Sequence, residues 1–189
     1  MKTVNVMIVG VGGQGTLLTS RIIGKVASEN GFDVKISEVH GMAQRGGSVV
    51  TFVRFGEKVY EPVCEEGTVD ILIAFERLEA LRYAHFLKKD GKLIVNDTRI
   101  DPMTVVIGAK TYPENIIEEL KAEHDVFVVD GDALVKEIGN PKVLNTVVLG
   151  FSAKLIGYDK QVWLDTVEKT VPPKTIEVNK LAFIKGYEA

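Results

Sequence analysis

An apolar run from Val4 to Val9 breaks directly into Gly10-Val11-Gly12-Gly13-Gln14-Gly15 and then into a helical pattern. Glycines at 10, 12 and 15 match the spacing in which one makes a tight turn, one lets backbone approach a diphosphate, and one packs a helix on a strand. The helix that follows would aim its free N–H groups at an anion. Taken alone, the spacing also fits close packing with no ligand. Context favours an anion-binding turn: Val4, Val6, Ile8 and Val9 supply a strand, Leu18, Ile22 and Val26 a helix stripe at four-residue spacing, and Gly31 stands where a helix ends.

A second constellation runs from Glu38 to Ser48 and places a carboxylate, an imidazole, an amide, a guanidinium and a hydroxyl among glycines. Arg45 has the planar fork that pairs a phosphate or carboxylate at two points, and successive N–H groups at Gly46 and Gly47 can form an anion-binding nest; the alternative is a surface turn with a solvated charge, and the surrounding glycines favour ligand or subunit contact. Gln44 stands beside them. Glu38 ends the second strand, where a dinucleotide fold puts the carboxylate that binds a ribose hydroxyl; an exposed edge carboxylate fits the position equally well. His40 is open in the same way between a site role and simple satisfaction of backbone groups. Ligands of open α/β sheets collect outside the carboxyl ends of the strands, so this loop and the Gly10 turn are expected to be neighbours.

Other chemistry-bearing residues fail on spacing. Gly131-Asp132 faintly resembles a thiamine-diphosphate magnesium motif, but Asn140 and Asn145 follow too closely, and Asp130 or Asp132 reads better as a helix cap. His85 and His124 have no carboxylate or cysteine partner at metal-ligand spacing. The single cysteine, Cys64, cannot form an internal disulfide or hold an iron–sulfur cluster, and its default role is a small buried hydrophobe.

The elements that must position these residues follow from pattern. After the first strand and helix, Asp33 to Glu38 reads as a second strand. A glycine-rich loop then feeds a β-hairpin made of alternating Val49, Thr51, Val53 and Phe55, a Gly56-Glu57-Lys58 turn, and a short run from Val59 to Glu61. Asp70 to Ala74 suits a strand buried on both faces, followed by a helix from about Glu76 to Leu87 and a turn at Asp90-Gly91. Leu93 to Asn96 and Val126 to Val129 read as further strands and Val105 to Ile107 as a short one, with a helix from Glu114 to Lys121 between them. From Asp132 onward the pattern is helical, and Leu144, Val147, Val148, Phe151 and Leu155 mark a strongly buried face. Pro172 and Pro173 lead into a last helix. The fold class is therefore α/β, Rossmann-like: a mostly parallel sheet flanked by helices, with a β-hairpin after the second strand and a helical C-terminal part.

The chain has 189 residues, 46% of them hydrophobic, and no internal repeat or linker, so residues 1–189 are expected to form a single domain. A net charge of −3 without a Lys/Arg-rich run gives no electrostatic footprint for nucleic acid or an anionic membrane, and neither partner is expected. No long apolar span or secretory pattern opens the sequence, and a cytoplasmic location is expected.

The motif Gly10-Val-Gly-Gly-Gln-Gly15 followed by Glu38-Val-His-Gly-Met-Ala-Gln-Arg-Gly-Gly-Ser48 resembles the gamma-type subunit of the 2-oxoacid:ferredoxin oxidoreductases. Asn145-Thr-Val-Val-Leu-Gly150 and the tail from Pro173 to Asn179 and Gly186 to Glu188 resemble the indolepyruvate-type branch of that family, so the likeness covers nearly the whole chain. The resemblance implies a complex that oxidatively decarboxylates a 2-oxoacid on thiamine diphosphate, passes electrons through iron–sulfur clusters to ferredoxin and releases an acyl-CoA. It implies that this chain holds no cofactor alone, and that thiamine diphosphate, magnesium and the clusters sit on a large catalytic alpha partner in a hetero-oligomer. Ferredoxin is then an indirect partner and an arylpyruvate the substrate; pyruvate, 2-oxoglutarate and branched 2-oxoacids remain alternatives. Coenzyme A is expected at the Gly10–Gly15 turn, with Gln44 and Arg45 facing the subunit interface. Two further readings stay open: a free-standing nicotinamide-binding enzyme, and a regulatory module whose turn holds no ligand.

Overall fold

A computed structural model of the chain describes residues 3–41 and 46–189. Along the chain it runs β1 (Val4–Val11), α1 (Thr16–Glu29), β2 (Asp33–His40), β3 (Ser48–Gly56), β4 (Val69–Ala74), α2 (Arg77–Tyr83) and β5 (Leu87–Asn96). It continues through α3 (Met103–Val106), α4 (Ile116–Glu123), β6 (Asp125–Val129), α5 (Gly131–Ile138), α6 (Leu144–Ile156), α7 (Lys160–Thr170) and α8 (Ile176–Glu188). Among the described residues six strands form one sheet in the order β2-β3-β1-β4-β5-β6. The β1–β4, β4–β5 and β5–β6 ladders are parallel, while β1–β3 and β2–β3 are antiparallel.

The central strand shows why its sequence is apolar throughout. Val6 and Ile8 point into a core shared with α1, α6, α7 and α8, whereas Met7 and Val9 point into a second core under α2 and α4. A period of two on a strand covered by helices on both faces leaves no polar side. In α1, Ile22 and Val26 are buried as the four-residue spacing predicts, and Gly31 follows the cap residue Asn30 at φ 86°. Asp130 caps α5, accepting the Ala133 N–H at 2.9 Å, as its position predicts.

The hairpin differs from the sequence reading. Residues 48–56 do form a strand, but its antiparallel partners are β2, from Asp33 opposite Gly56 to His40 opposite Val49, and β1. Residues 59–61 pair with no strand among the described residues: the Val59 N–H is taken by Asp33 Oδ2 at 3.0 Å, and the Glu61 and Val63 carbonyls by Arg54 Nη1 at 3.0 and 2.8 Å. The expected strand at Val105 to Ile107 is also corrected. Pro102 opens a short helical turn there, and Val106 and Ile107 are exposed, so β-branched side chains alone give them no sheet to join. Asp90-Gly91 lies within β5, at an irregularity in its pairing with β4, and α2 ends at Tyr83, with a 3-10 turn over 84–86 leading into β5.

The helices of the C-terminal part lie close together where glycines meet carbonyls. A Cβ on Gly150 of α6 would overlap the Phe183 carbonyl, and one on Gly186 of α8 would overlap the Val147 carbonyl. Thr146 Oγ1 donates to Asn179 Oδ1 at 2.7 Å across the same contact. Packing of α6 against α8 thus accounts for both glycines in the C-terminal motifs.

Candidate functional site

Strands β1, β4, β5 and β6 end on one edge of the sheet, and the chain leaves β1 toward β2 on one side while β4 and β5 lie on the other. Such a divergence opens a crevice at the carboxyl ends. Side-chain amides hold it together. Gln14 Oε1 accepts the Val11 N–H at 2.7 Å and its Nε2 donates to the Phe75 carbonyl at 2.9 Å, tying the turn to the end of β4. Buried Asn96 donates to the same Phe75 carbonyl at 3.3 Å and accepts the Gly131 N–H at 2.9 Å, tying β4 to the start of α5. Gly10 lies under this staple: a Cβ there would stand 2.9 Å from Gln14 Oε1 and 3.0 Å from Phe75 Cβ.

Two further glycines shape the mouth. Gly13 (φ 106°) and Gly15 (φ 85°) take left-handed backbone, and a Cβ on Gly13 would meet nothing within 4 Å among the described residues. Gly15 is the N-cap of α1 and brings no side chain to its first N–H groups, which carry the positive end of a 14-residue helix. A cleft of about 390 Å³ opens here, lined by Gly12, Gly13, Gly15, Thr16, Leu17, Glu38, His40 and Val49.

The two motifs singled out in the sequence therefore share one cleft. Gly12 donates its N–H to the Gly47 carbonyl at 2.8 Å, and Ser48 Oγ donates to Glu79 Oε2 at 2.5 Å, beside Tyr83 Oη at 3.2 Å. Gly46 has φ 76° and is exposed. Gln44 and Arg45 lie outside the described residues. Glu38 accepts from Thr51 Oγ1 at 3.2 Å, and His40 Nδ1 lies 3.0 Å from the Gly41 carbonyl. Because β3 separates β1 from β2, Glu38 stands roughly 10 Å from β1, two strand spacings rather than the one of a dinucleotide fold.

Some groups at this edge gave no clear signal in sequence. Glu76 is 1% exposed and accepts the Tyr112 hydroxyl at 2.5 Å, the Ile100 N–H at 3.1 Å and the Glu79 N–H at 3.0 Å. Burial, with Glu76 as partner, pushes the Tyr112 hydroxyl far above its ordinary range. Burial also raises the Glu79 carboxyl, opposed by the Ser48 hydrogen bond and by Arg82 at 3.6 Å. The signal that finds Glu76 and Glu79 is the Glu-x-x-Glu spacing at the start of a helix, where the first carboxylate accepts the second residue's orphan N–H.

A second cleft, of about 270 Å³, lies on the α6 side of the same turn and shares Gly13 and Gly15 with the first. Its wall includes Thr98, Asp132, Lys142 and Asn145, of which Asn145 is 6% exposed. Elsewhere, Cys64 is buried and its thiol is pushed up to about 11 by burial, as a small packed hydrophobe would be. His85 packs on Phe86 with ring centres 4.7 Å apart, and among the described residues no group of three or more His, Cys, Asp or Glu could hold a metal ion.

Comparison with known proteins gives a consistent result. Residues 5–189 match the family model described as pyruvate ferredoxin/flavodoxin oxidoreductase. The chain is similar to the indolepyruvate oxidoreductase subunit IorB of Thermococcus kodakarensis, 40% identical over 198 residues that cover 100% of this chain and 96% of that one. The corresponding subunit of Pyrococcus horikoshii is 38% identical over 196 residues, with the same coverage of 100% and 96%. Among solved structures, the gamma subunit of a keto/oxoacid ferredoxin oxidoreductase from Geobacter sulfurreducens aligns with a TM-score of 0.72 at 25% identity, covering 98% of this chain and 96% of that one.

Proposed function

The chain belongs to the pyruvate ferredoxin/flavodoxin oxidoreductase family, and from that membership we propose that it is the gamma-type subunit of an indolepyruvate (arylpyruvate) ferredoxin oxidoreductase. It docks on a catalytic alpha subunit that carries thiamine diphosphate, magnesium and the iron–sulfur clusters, and through that subunit serves ferredoxin in a hetero-oligomer. The cytoplasm is the compartment this reading assigns; no helix of the described residues is long and apolar enough to cross a membrane. Similarity to subunits named for indolepyruvate supports an arylpyruvate over other 2-oxoacids.

The observation that carries the chain's own role is the start of α1, uncapped among the described residues and opening into a cleft beside the second motif. Coenzyme A, when bound, supplies the thiol that takes the acyl group. The first-turn N–H groups of α1 receive its diphosphate, and Gly13 leaves the approach open. Gln14 and Asn96 keep the turn registered against the ends of β4 and α5. Arg45 adds charge at the subunit interface, and Gln44 and the backbone N–H groups of Gly46 and Gly47 add neutral donors.

Co-expression of this chain with the thiamine- and cluster-bearing chain tests the reading. Arylpyruvate- and coenzyme A-dependent reduction of a dye is expected only when both are present. Activity of the large chain alone, or NAD binding by the isolated small one, would overturn it. Gly12→Val and Arg45→Ala should each weaken coenzyme A in calorimetry on the assembled complex, and unchanged affinity in both would remove the turn from the account.

A further inference from the structure

We propose that Glu79 of α2 is a positioning residue for the reaction: through Ser48 it fixes the end of the second motif against the Gly10–Gly15 turn, and so sets how tightly the assembled complex holds coenzyme A. The inference rests on the reading that the diphosphate sits at the start of α1, and Glu79 acts on it only through other residues.

The route from Glu79 to the cleft is short. Ser48 is the last residue of the second motif and the first of β3, where it stands opposite Val11 of β1. Its hydroxyl carries one proton, which goes to Glu79 Oε2 at 2.5 Å, so the Tyr83 hydroxyl at 3.2 Å donates to Ser48 in turn. The preceding residue, Gly47, takes the Gly12 N–H on its carbonyl at 2.8 Å, and Gly12 lines the cleft at the start of α1. A shift of Ser48 therefore reaches the cleft wall through one peptide unit and one hydrogen bond. On its other side the same turn is tied to the end of β4 by the Gln14 amide. The turn is held between two staples, an amide toward β4 and a carboxyl–hydroxyl pair toward α2.

The cost of the second staple points to function. Glu79 is 4% exposed, and burial raises its carboxyl against the opposing pull of Ser48 and Arg82, with buried Glu76 adding to the rise. Burying such a group lowers stability, and the start of β3 is already registered on β1 by its ladder. Groups that give stability away collect where position matters to activity. Displacement of a binding wall by a fraction of an ångström is enough to cost about tenfold.

Steady-state dye reduction by the assembled complex tests this, with coenzyme A varied at saturating arylpyruvate and arylpyruvate varied at saturating coenzyme A. Glu79→Leu is expected to raise KM for coenzyme A about tenfold, leaving KM for arylpyruvate within about twofold and kcat within about threefold. Glu79→Gln keeps an acceptor for Ser48 and should restore KM for coenzyme A to within about twofold of wild type. Ser48→Ala removes the other partner, carries the test if leucine prevents assembly, and should raise the same KM about tenfold. Because both act through one hydrogen bond, the Ser48→Ala/Glu79→Leu double variant should be no worse than either single one. Unchanged KM for coenzyme A in both single variants overturns the proposal. So does an equal rise for both substrates, which marks a purely structural residue, and so does a multiplicative double variant. Gly12→Val separates this from the underlying reading. If it leaves KM for coenzyme A as before, the diphosphate is not at the turn and both ideas fall. If it raises that KM while the Ser48 and Glu79 variants do not, only the positioning role is wrong.

Discussion

Replacing Gly15 by alanine separates two tasks that this glycine performs at the head of α1. Its φ of 85° places an alanine in the left-handed region at about 1–2 kcal/mol. Gly13, at φ 106°, imposes comparable strain, yet a Cβ there has space, whereas one on Gly15 would lie 2.9 Å from Asn145 Cγ and Nδ2 and 3.0 Å from its Cβ. Overpacking of that kind adds about 1–3 kcal/mol. Gly13→Ala is thus expected to lose about 1–2 kcal/mol and Gly15→Ala about 2–5 kcal/mol, read as shifts of the urea midpoint at constant slope. In an Asn145→Ala background the collision with Cγ and Nδ2 disappears, so Gly15→Ala should cost at least about 1 kcal/mol less. Equal losses at the two glycines, or strict additivity between positions 15 and 145, would refute the close contact on which the shared mouth of the two clefts depends.

Three further outcomes follow from buried groups. Burial holds the Glu79 carboxyl above its ordinary value, so the native state keeps a proton that the unfolded chain releases earlier, and stability falls as pH rises past the ordinary Glu range near 4.3. Glu79→Gln keeps an acceptor for Ser48, and should exceed the wild type in urea midpoint at pH 7 and match it at about pH 4. Cys64, pushed up to about 11, should react with a thiol reagent at pH 8 about 100-fold more slowly in the native chain than in urea. Gly186→Ala should cost about 3 kcal/mol or more by denaturation, because its Cβ would overlap the Val147 carbonyl.

Local chemistry was readable from the sequence wherever it set local structure. The run from Val4 to Gly15 and the stripe of Leu18, Ile22 and Val26 specify β1, its turn and α1, because glycine spacing and period are properties of adjacent residues. Partner choice was not readable. The alternation from Val49 to Phe55 marks a strand, but insertion of β3 between β1 and β2 is a long-range pairing that no turn signal records. Proximity of the two motifs followed from the rule that ligands gather at strand ends, though not the Gly12 to Gly47 hydrogen bond that joins them. Gln14 stands in sequence within the expected coenzyme A turn; the fold adds that its amide bonds Val11 and Phe75 and holds that turn. Asn145 stood in a run otherwise fit for a core helix, and only the placement of α6 against Gly15 gives its amide a cleft to face.

Hydrogen exchange on the assembled complex, with and without coenzyme A, tests most directly the claim that this chain supplies an anion-binding helix start to a shared active site. Peptides spanning residues 12–18 are expected to exchange more slowly when coenzyme A is added, because the first-turn amides of α1 then have acceptors. Unchanged exchange in those peptides, with protection confined to the catalytic subunit, would contradict the account.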